Sequence, residues 1–246
     1  MVNQKGIAAY CQGCGSCNTT SYGNGDVDEN LVDLIVDEVV KTLGVSTTKE
    51  CVSKYPLIPL GVSNRHIHIT KETFAKLFGD DTEFQSFREL YQKGEFASKH
   101  TVTIVGAKMR AIQNVRILGP MRNYDQVELS LTDAVQLGIK PPVRNSSDLK
   151  GAAPLTWVGP NGSIYLPECG IIASRHIHMT PEHAAVFGVK NGEYCKVRIG
   201  GIKSTIFENV LIRVKEGWKL QIHLDTDDAN AANVRCETKV EFLEKM

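Results

Sequence analysis

The sequence predicts a mainly β fold, a barrel or sandwich with short helices, built from a duplicated unit. Three observations carry this. Residues 63–70 read Ser-Asn-Arg-His-Ile-His-Ile-Thr and residues 173–180 read Ala-Ser-Arg-His-Ile-His-Met-Thr, so Arg-His-Ile-His occurs twice in matching context. Each copy runs into a helix start: Thr70 precedes Lys71-Glu72-Thr73, and Thr180 precedes Pro181-Glu182-His183. Thr is a good N-cap, and Pro is favoured at the first helical position. Around the copies, short alternating apolar segments are separated by Gly, Pro and Asn turns, as in a barrel or sandwich.

The 246 residues leave room for one large domain or two small ones plus a tail. Lys and Arg total 28, as do Asp and Glu, and no basic block stands out, which argues against nucleic acid as the partner. No apolar run is long enough to cross a membrane as a helix, and the N-terminus lacks the apolar run of a signal peptide, so a reducing, cytoplasmic setting is expected. Seven irregularly spaced cysteines are a poor disulfide framework.

In chain order, residues 1–25 form a Cys/Gly-rich tail expected to be flexible, with Cys11, Cys14 and Cys17 in a C-x2-C-x2-C run that lacks the fourth cysteine of a ferredoxin pattern. Residues 26–44 read as an amphipathic helix. Val32, Ile35, Val36, Val39 and Leu43 share a stripe opposite Asp33, Asp37 and Lys41, and Gly44 is a natural stop. A linker over 45–56 follows, so docking onto another protein is expected ahead of the alternative, a helix packed on its own domain. Residues 57–62 are a strand, 71–78 a capped helix, 82–93 a charged helical segment, and 101–105 and 111–118 strands around a turn at 106–110. Residues 119–130 form a turn and a strand, 141–153 a loop, and 157–165 a hairpin around Gly159-Pro160-Asn161-Gly162. Strands follow over 194–199, 203–214 and 219–224.

Alternate side chains of a strand leave the same face, so His66 pairs with His68, and His176 with His178. The repeat extends further. Val127-Glu128-Leu129-Ser130 resembles Ile222-His223-Leu224-Asp225, which places Glu128 opposite His223 as a third ligand in each half. Six protein ligands are too many for one tetrahedral zinc ion and suit two divalent metals with open positions, hence catalysis. A lone histidine on a strand is usually structural; two copies in identical context, each with a matching third ligand, point to metal. His100 is expected in a polar loop, and His183 solvated in the first turn of a helix. Cys51, Cys169, Cys195 and Cys236 share no ligand spacing, and Cys169 has no evident base to make it a nucleophile.

Arg122 lies in the turn that feeds the Glu128 strand, and Gln126 shares a strand face with Glu128. An arginine fork beside two metals fits a phosphate or carboxylate, while a surface arginine fits the spacing equally well. Arg122, Gln126 and Arg213 are the substrate-binding candidates. Arg65 and Arg175 point off the metal face and are expected to pair structurally.

Four stretches together resemble the PduL-type phosphate propanoyltransferases, the metal-dependent phosphotransacylases of bacterial microcompartments. They are Gly-Val-Ser-Asn-Arg-His-Ile-His-Ile-Thr, Gly-Pro-Met-Arg-Asn-Tyr-Asp-Gln-Val-Glu-Leu-Ser, Ser-Arg-His-Ile-His-Met-Thr-Pro and Ile-His-Leu-Asp-Thr-Asp-Asp-Ala-Asn-Ala-Ala, within about residues 57–235. The resemblance implies two small β-barrels capped by short helices, one from residues 57–64 plus 174–243 and the other from 65–173, with the strand before His66 exchanged between them. It implies two zinc ions (other divalent metals are possible) on His66, His68, Glu128, His176, His178 and His223, with Arg122 binding phosphate. The implied reaction is acyl-CoA plus phosphate giving acyl phosphate plus CoA. A homo-oligomer in the microcompartment lumen is also implied, with the 26–44 helix contacting shell or lumen proteins. A di-metal hydrolase of a thioester or phosphate bond, or a non-catalytic metal-stabilised assembly module, would share the ligands. The cysteine tail is no part of the pattern.

Overall fold

The computed structural model describes residues 54–246 together with Glu38, Val39 and Thr42. Those three upstream residues are helical and exposed, and the Thr42 hydroxyl donates to the Glu38 carbonyl at 2.7 Å. The Cys11, Cys14 and Cys17 tail, the rest of the 26–44 helix and residues 45–53 lie outside the described residues. Ser53–Met246 form one compact unit.

The unit is mainly β. Its strands are β1 Ile58–Ser63, β2 His66–His68, β3 Ser86–Glu89, β4 Phe96–Val105, β5 Ala111–Gly119, β6 Gln126–Leu129, β7 Val143–Arg144, β8 Ala153–Gly159, β9 Gly162–Ala173, β10 His176–Met179, β11 Tyr194–Ile199, β12 Thr205–Val214, β13 Gln221–Asp225 and β14 Lys239–Lys245. Short helices span Lys71–Phe78, Leu131–Leu137, Pro181–Phe187 and Thr226–Ala232. One barrel closes in the order β4-β5-β2-β6-β9-β8 and back to β4, with β3 and β7 added to its strands. The other closes in the order β1-β13-β10-β12-β11-β14.

The two barrels repeat one pairing pattern. β2 has a parallel neighbour in β5 and an antiparallel one in β6, and β10 has the same in β12 and β13. β6 then pairs in parallel with β9, and β13 with β1. The exchange is therefore reciprocal. β1 precedes β2 in the chain yet belongs to the second barrel, and β9 precedes β10 yet belongs to the first. Only Asn64 and Arg65, and Ser174 and Arg175, lie between the strands so joined. The chain thus steps from one barrel to the other immediately before each His-x-His.

Period-2 alternation fills the cores. Ile67, Ile69, Ile104, Ile117, Val127, Leu155 and Trp157 pack inside the first barrel, and Ile58, Leu60, Ile177, Val197, Ile212 and Ile222 inside the second. The helix starts are capped as their residue types dictate. Thr70 Oγ1 accepts from the Thr73 N–H, and Ser130 with Asp133 and Thr180 with His183 form capping boxes. Gly138 and Gly188 end two helices at φ 72° and 66°, a conformation that costs glycine little.

Four local expectations change. Residues 86–89 of the charged 82–93 segment form exposed edge strand β3 on β4, because ladder bonds to an existing sheet outweigh a helix with no apolar stripe to bury. His100 lies on β4 rather than in a loop, packed among Phe74, Phe78 and Phe84. His183 is a capping residue, with its Nδ1 3.0 Å from Thr180 Oγ1. The 141–153 loop contains β7, which pairs with β9. Tyr55, at the end of the 45–56 segment, packs on Phe187 and Phe242 of the second barrel.

Candidate metal centre

The ladder builds each ligand set. Across β2 and β6, His66 faces Glu128 and His68 faces Gln126. Across β10 and β13, His176 faces His223 and His178 faces Gln221. In the first triad, His66 Nε2 is 3.5 Å from Glu128 Oε2, and His68 Nε2 is 3.9 Å from Oε1. In the second, the His176 and His223 rings stack with centroids 4.9 Å apart, and His178 lies 4.7 Å from both. Each triad brings three ligand atoms within 4.8 Å of one another.

Both triads share a tautomer lock. His66 Nδ1 lies 2.9 Å from the Asn64 carbonyl, and His176 Nδ1 lies 2.8 Å from the Ser174 carbonyl. A carbonyl only accepts, so each Nδ1 carries the proton and each Nε2 offers its lone pair. The same inter-barrel connections that exchange the strands supply these carbonyls.

The site fits metal on its own geometry. His68 Nδ1, both ring nitrogens of His178 and His223 Nε2 are buried with no hydrogen-bond partner among the described residues. Leaving such a group unsatisfied costs about 1–3 kcal/mol, whereas a divalent ion would use the lone pairs. Burial, reinforced by neighbouring imidazoles, pulls His68 and His223 down to about 3 and His178 well below the ordinary histidine value. Burial likewise lowers His176. These shifts favour the neutral form of His68, His176, His178 and His223, the form that binds metal. Burial alone would raise Glu128, but the electrostatic attraction of the neighbouring His66, His68 and His176 rings outweighs it and holds the carboxyl below its usual range. Glu128 feels His176, and His223 feels Glu128 and His66, so the triads act on each other electrostatically. A cleft lined by Ser63, Asn64, Glu128, Ala173, His176 and His223 joins them.

Around the first triad, fully buried Gln126 holds the carboxylate. Its Nε2 donates to Glu128 Oε1 at 2.8 Å and to Ser146 Oγ at 2.9 Å, and its Oε1 accepts from the Ser147 N–H at 2.7 Å. The Arg122 N–H donates to the Ile69 carbonyl, and its Nη2 donates to Glu95 Oε1 at 3.0 Å. Arg122 Nε is buried with no partner among the described residues, and the guanidinium helps depress His68. Around the second triad, Arg213 faces His178 in register and depresses all three histidines. Its guanidinium lies 5.4 Å from the Trp218 ring centre, and that ring lies 4.1 Å from His178.

Arg65 pairs with Asp133 at 2.7 Å, and Arg175 grips Asp228 at 2.8 and 3.0 Å. Both arginines clamp the first turn of a helix instead of facing the ligands. Cys169 is fully buried, and burial pushes its thiol up to about 12, so it offers no nucleophile. Sequence reasoning missed Gln221, Trp218, Glu95 and Gln92. Gln221 had a signal, since Gln126-Val127-Glu128-Leu129 and Gln221-Ile222-His223-Leu224 align one residue beyond the repeat already drawn. The other three lie in turns outside the repeat.

Residues 59–235 match the family model described as phosphate propanoyltransferase. Relatives carrying that name include one from Lachnoclostridium phytofermentans, 46% identical over 217 residues that cover 88% of this chain and 100% of the relative. One from Thermotoga maritima is 48% identical over 192 residues, 78% of this chain and 91% of the relative. One from Citrobacter koseri is 47% identical over 176 residues, 71% of this chain and 83% of the relative.

Proposed function

The chain belongs to the phosphate propanoyltransferase family and is an acyltransferase, and from that premise we propose that it interconverts propanoyl-CoA, or a similar short acyl-CoA, plus phosphate with the acyl phosphate plus CoA. The observation that carries this is the pair of adjacent three-ligand sets, with buried unpartnered ring nitrogens, each beside an arginine. His66, His68 and Glu128 hold one divalent ion, and His176, His178 and His223 a second; zinc suits the nitrogen-rich donors. Bound there, the ions supply Lewis acidity toward phosphate and the thioester carbonyl.

The chain's own residues do the rest. Gln126 fixes the orientation of the Glu128 carboxylate, and the Asn64 and Ser174 carbonyls fix the tautomers of His66 and His176. Arg122 and Arg213 bind phosphate oxygens, placing an otherwise poor nucleophile against the carbonyl carbon. A phosphate oxygen forms the new C–O bond, the C–S bond breaks with its electron pair going to sulfur, and the proton of hydrogen phosphate ends on the CoA thiol. No acyl-enzyme is needed, in keeping with the buried, inert Cys169. The 26–44 segment supports sorting into a microcompartment lumen through a shell or lumen protein, and a homo-oligomer is part of the same reading.

Mixing the full chain with propanoyl-CoA, with and without phosphate, tests the reaction. CoA release that requires phosphate, with acyl phosphate trapped by hydroxylamine, supports it. Equal release without phosphate makes the protein a thioester hydrolase instead, and no release in either case leaves a non-catalytic module.

A further inference from the structure

The turn joining β3 to β4, Leu90-Tyr91-Gln92-Lys93-Gly94-Glu95, touches Arg122 beside the first triad and the 215–220 loop, which carries Trp218, beside the second. Glu95 Oε1 accepts from Arg122 Nη2 at 3.0 Å. Gln92 is 3% exposed and makes a reciprocal pair of bonds with the second barrel: its Nε2 donates to the Lys219 carbonyl and its Oε1 accepts from the Lys219 N–H, both at 3.0 Å. The Tyr91 ring receives the Lys219 ammonium at 4.9 Å. Lys219 follows Trp218, whose ring lies against both His178 and Arg213. The turn is itself closed by bonds from the Leu90 N–H to the Glu95 carbonyl and from the Glu95 N–H to the Gln92 carbonyl.

An acceptor on one terminal nitrogen holds the guanidinium plane in place while its other N–H groups stay free to donate. Arg122 is in that state, with Nη2 on Glu95 and a buried Nε without a partner among the described residues. An unanchored arginine would lose side-chain freedom each time an anion bound. On the other side, two hydrogen bonds from one buried amide fix the backbone next to Trp218, and so fix the ring that packs on His178.

We propose that the 90–95 turn is a shared positioning element for the anion-binding sides of both triads: Glu95 aims Arg122, and Gln92 pins the loop that places Trp218 against His178 and Arg213. This rests on the reading that Arg122 and Arg213 bind phosphate. It makes Glu95 and Gln92 positioning residues, neither of them a metal ligand.

The test uses the full, metal-loaded chain with phosphate varied at saturating propanoyl-CoA. Glu95→Ala raises the phosphate KM about tenfold while metal content and the propanoyl-CoA KM hold. Glu95→Gln, which keeps an acceptor for Nη2, recovers most of that loss. Gln92→Met keeps the length and loses both hydrogen bonds; it shifts tryptophan emission, which reports on Trp218 because Trp157 is fully buried in the first barrel, and raises the phosphate KM about threefold. A Glu95→Ala enzyme with a lower phosphate KM would make Glu95 a competitor for the anion and overturn the proposal, as would unchanged kinetics. Arg122→Ala run in parallel separates the levels. A phosphate KM and a turnover both unaffected there sink the underlying reading and this proposal with it. A large loss there beside an unaffected Glu95→Ala sinks the positioning role alone.

Discussion

The two triads share a scaffold and differ in charge. Both are built from a His-x-His strand, an antiparallel neighbour that supplies Gln-x-ligand, and a carbonyl two residues upstream that locks the first tautomer. The third ligand is a carboxylate in one and an imidazole in the other. With the same divalent ion, the His176 triad carries one more formal positive charge than the His66 triad. The arginines widen the contrast. Arg122 is partly neutralised by Glu95, whereas Arg213 has no carboxylate partner among the described residues and rests on Trp218. Duplication preserved the geometry that a metal requires. Divergence then changed the charge around each half.

The harshest way to break this comparison is to empty one half. On the two-ion reading, His176→Ala lowers bound metal from two ions per chain toward one and cuts turnover by about a thousandfold or more, and His66→Ala does the same from the other side. Elemental analysis and CoA release measure both. If one of the pair keeps wild-type turnover, its triad takes no part in the reaction.

Acid comes next, acting on the metal-free protein. In the unfolded chain a histidine takes up a proton below about 6.5, whereas burial keeps His68 and His223 neutral down to about 3. The unfolded state therefore binds more protons in that window, so stability falls as pH drops through it and is level above it. The depressed Glu128 acts in the same sense at lower pH, where the unfolded chain protonates its carboxylate first. The total loss should reach several kcal/mol. Urea unfolding from pH 8 to 4 checks this, and His223→Gln flattens the slope just below about pH 6.5 while Glu128→Gln leaves it.

The arginines give a smaller, graded effect. Arg122→Ala keeps both metals and the fold but loses roughly 2–4 kcal/mol of transition-state stabilisation, about a hundredfold in rate, and Arg122→Lys recovers part of it. Arg213→Ala raises the phosphate KM about tenfold, since the extra charge of its triad compensates. Steady-state kinetics with phosphate varied rank the two, and a larger loss at Arg213 would reverse the division of labour.

The smallest effect lies in the helix clamps. Removing Arg65 strands Asp133, whose side chain is 2% exposed, while removing Arg175 leaves Asp228 at 17% exposure. Arg65→Ala should cost about 2 kcal/mol and Arg175→Ala about 1 kcal/mol, because water re-solvates the second carboxylate more readily. Denaturant midpoints decide it, and equal losses would show the two clamps to be interchangeable.

Much of this was legible without coordinates, because it is local. The period-2 spacing that puts His66 with His68 and His176 with His178 on one face is a property of any strand. Thr70, Thr180 and Pro181 mark helix starts by residue type. The match of Glu128 to His223 follows from the duplication itself. Even so, the composition of a charged stretch such as 82–93 points to a helix where residues 86–89 form a strand, since helical composition says nothing about whether a sheet edge stands ready to pair with it.

What only the tertiary structure decided is non-local. The reciprocal placement of β1 and β9, the closure of the second barrel by β14 and the packing of His100 among phenylalanines depend on which edges meet once both sheets curl shut. So do Glu95 and Gln92, in one turn, reaching Arg122 and the Trp218 loop. No spacing rule encodes these contacts, because they join residues far apart in the chain whose partners are chosen by barrel closure and shared burial, and not by the side chains beside them in the sequence.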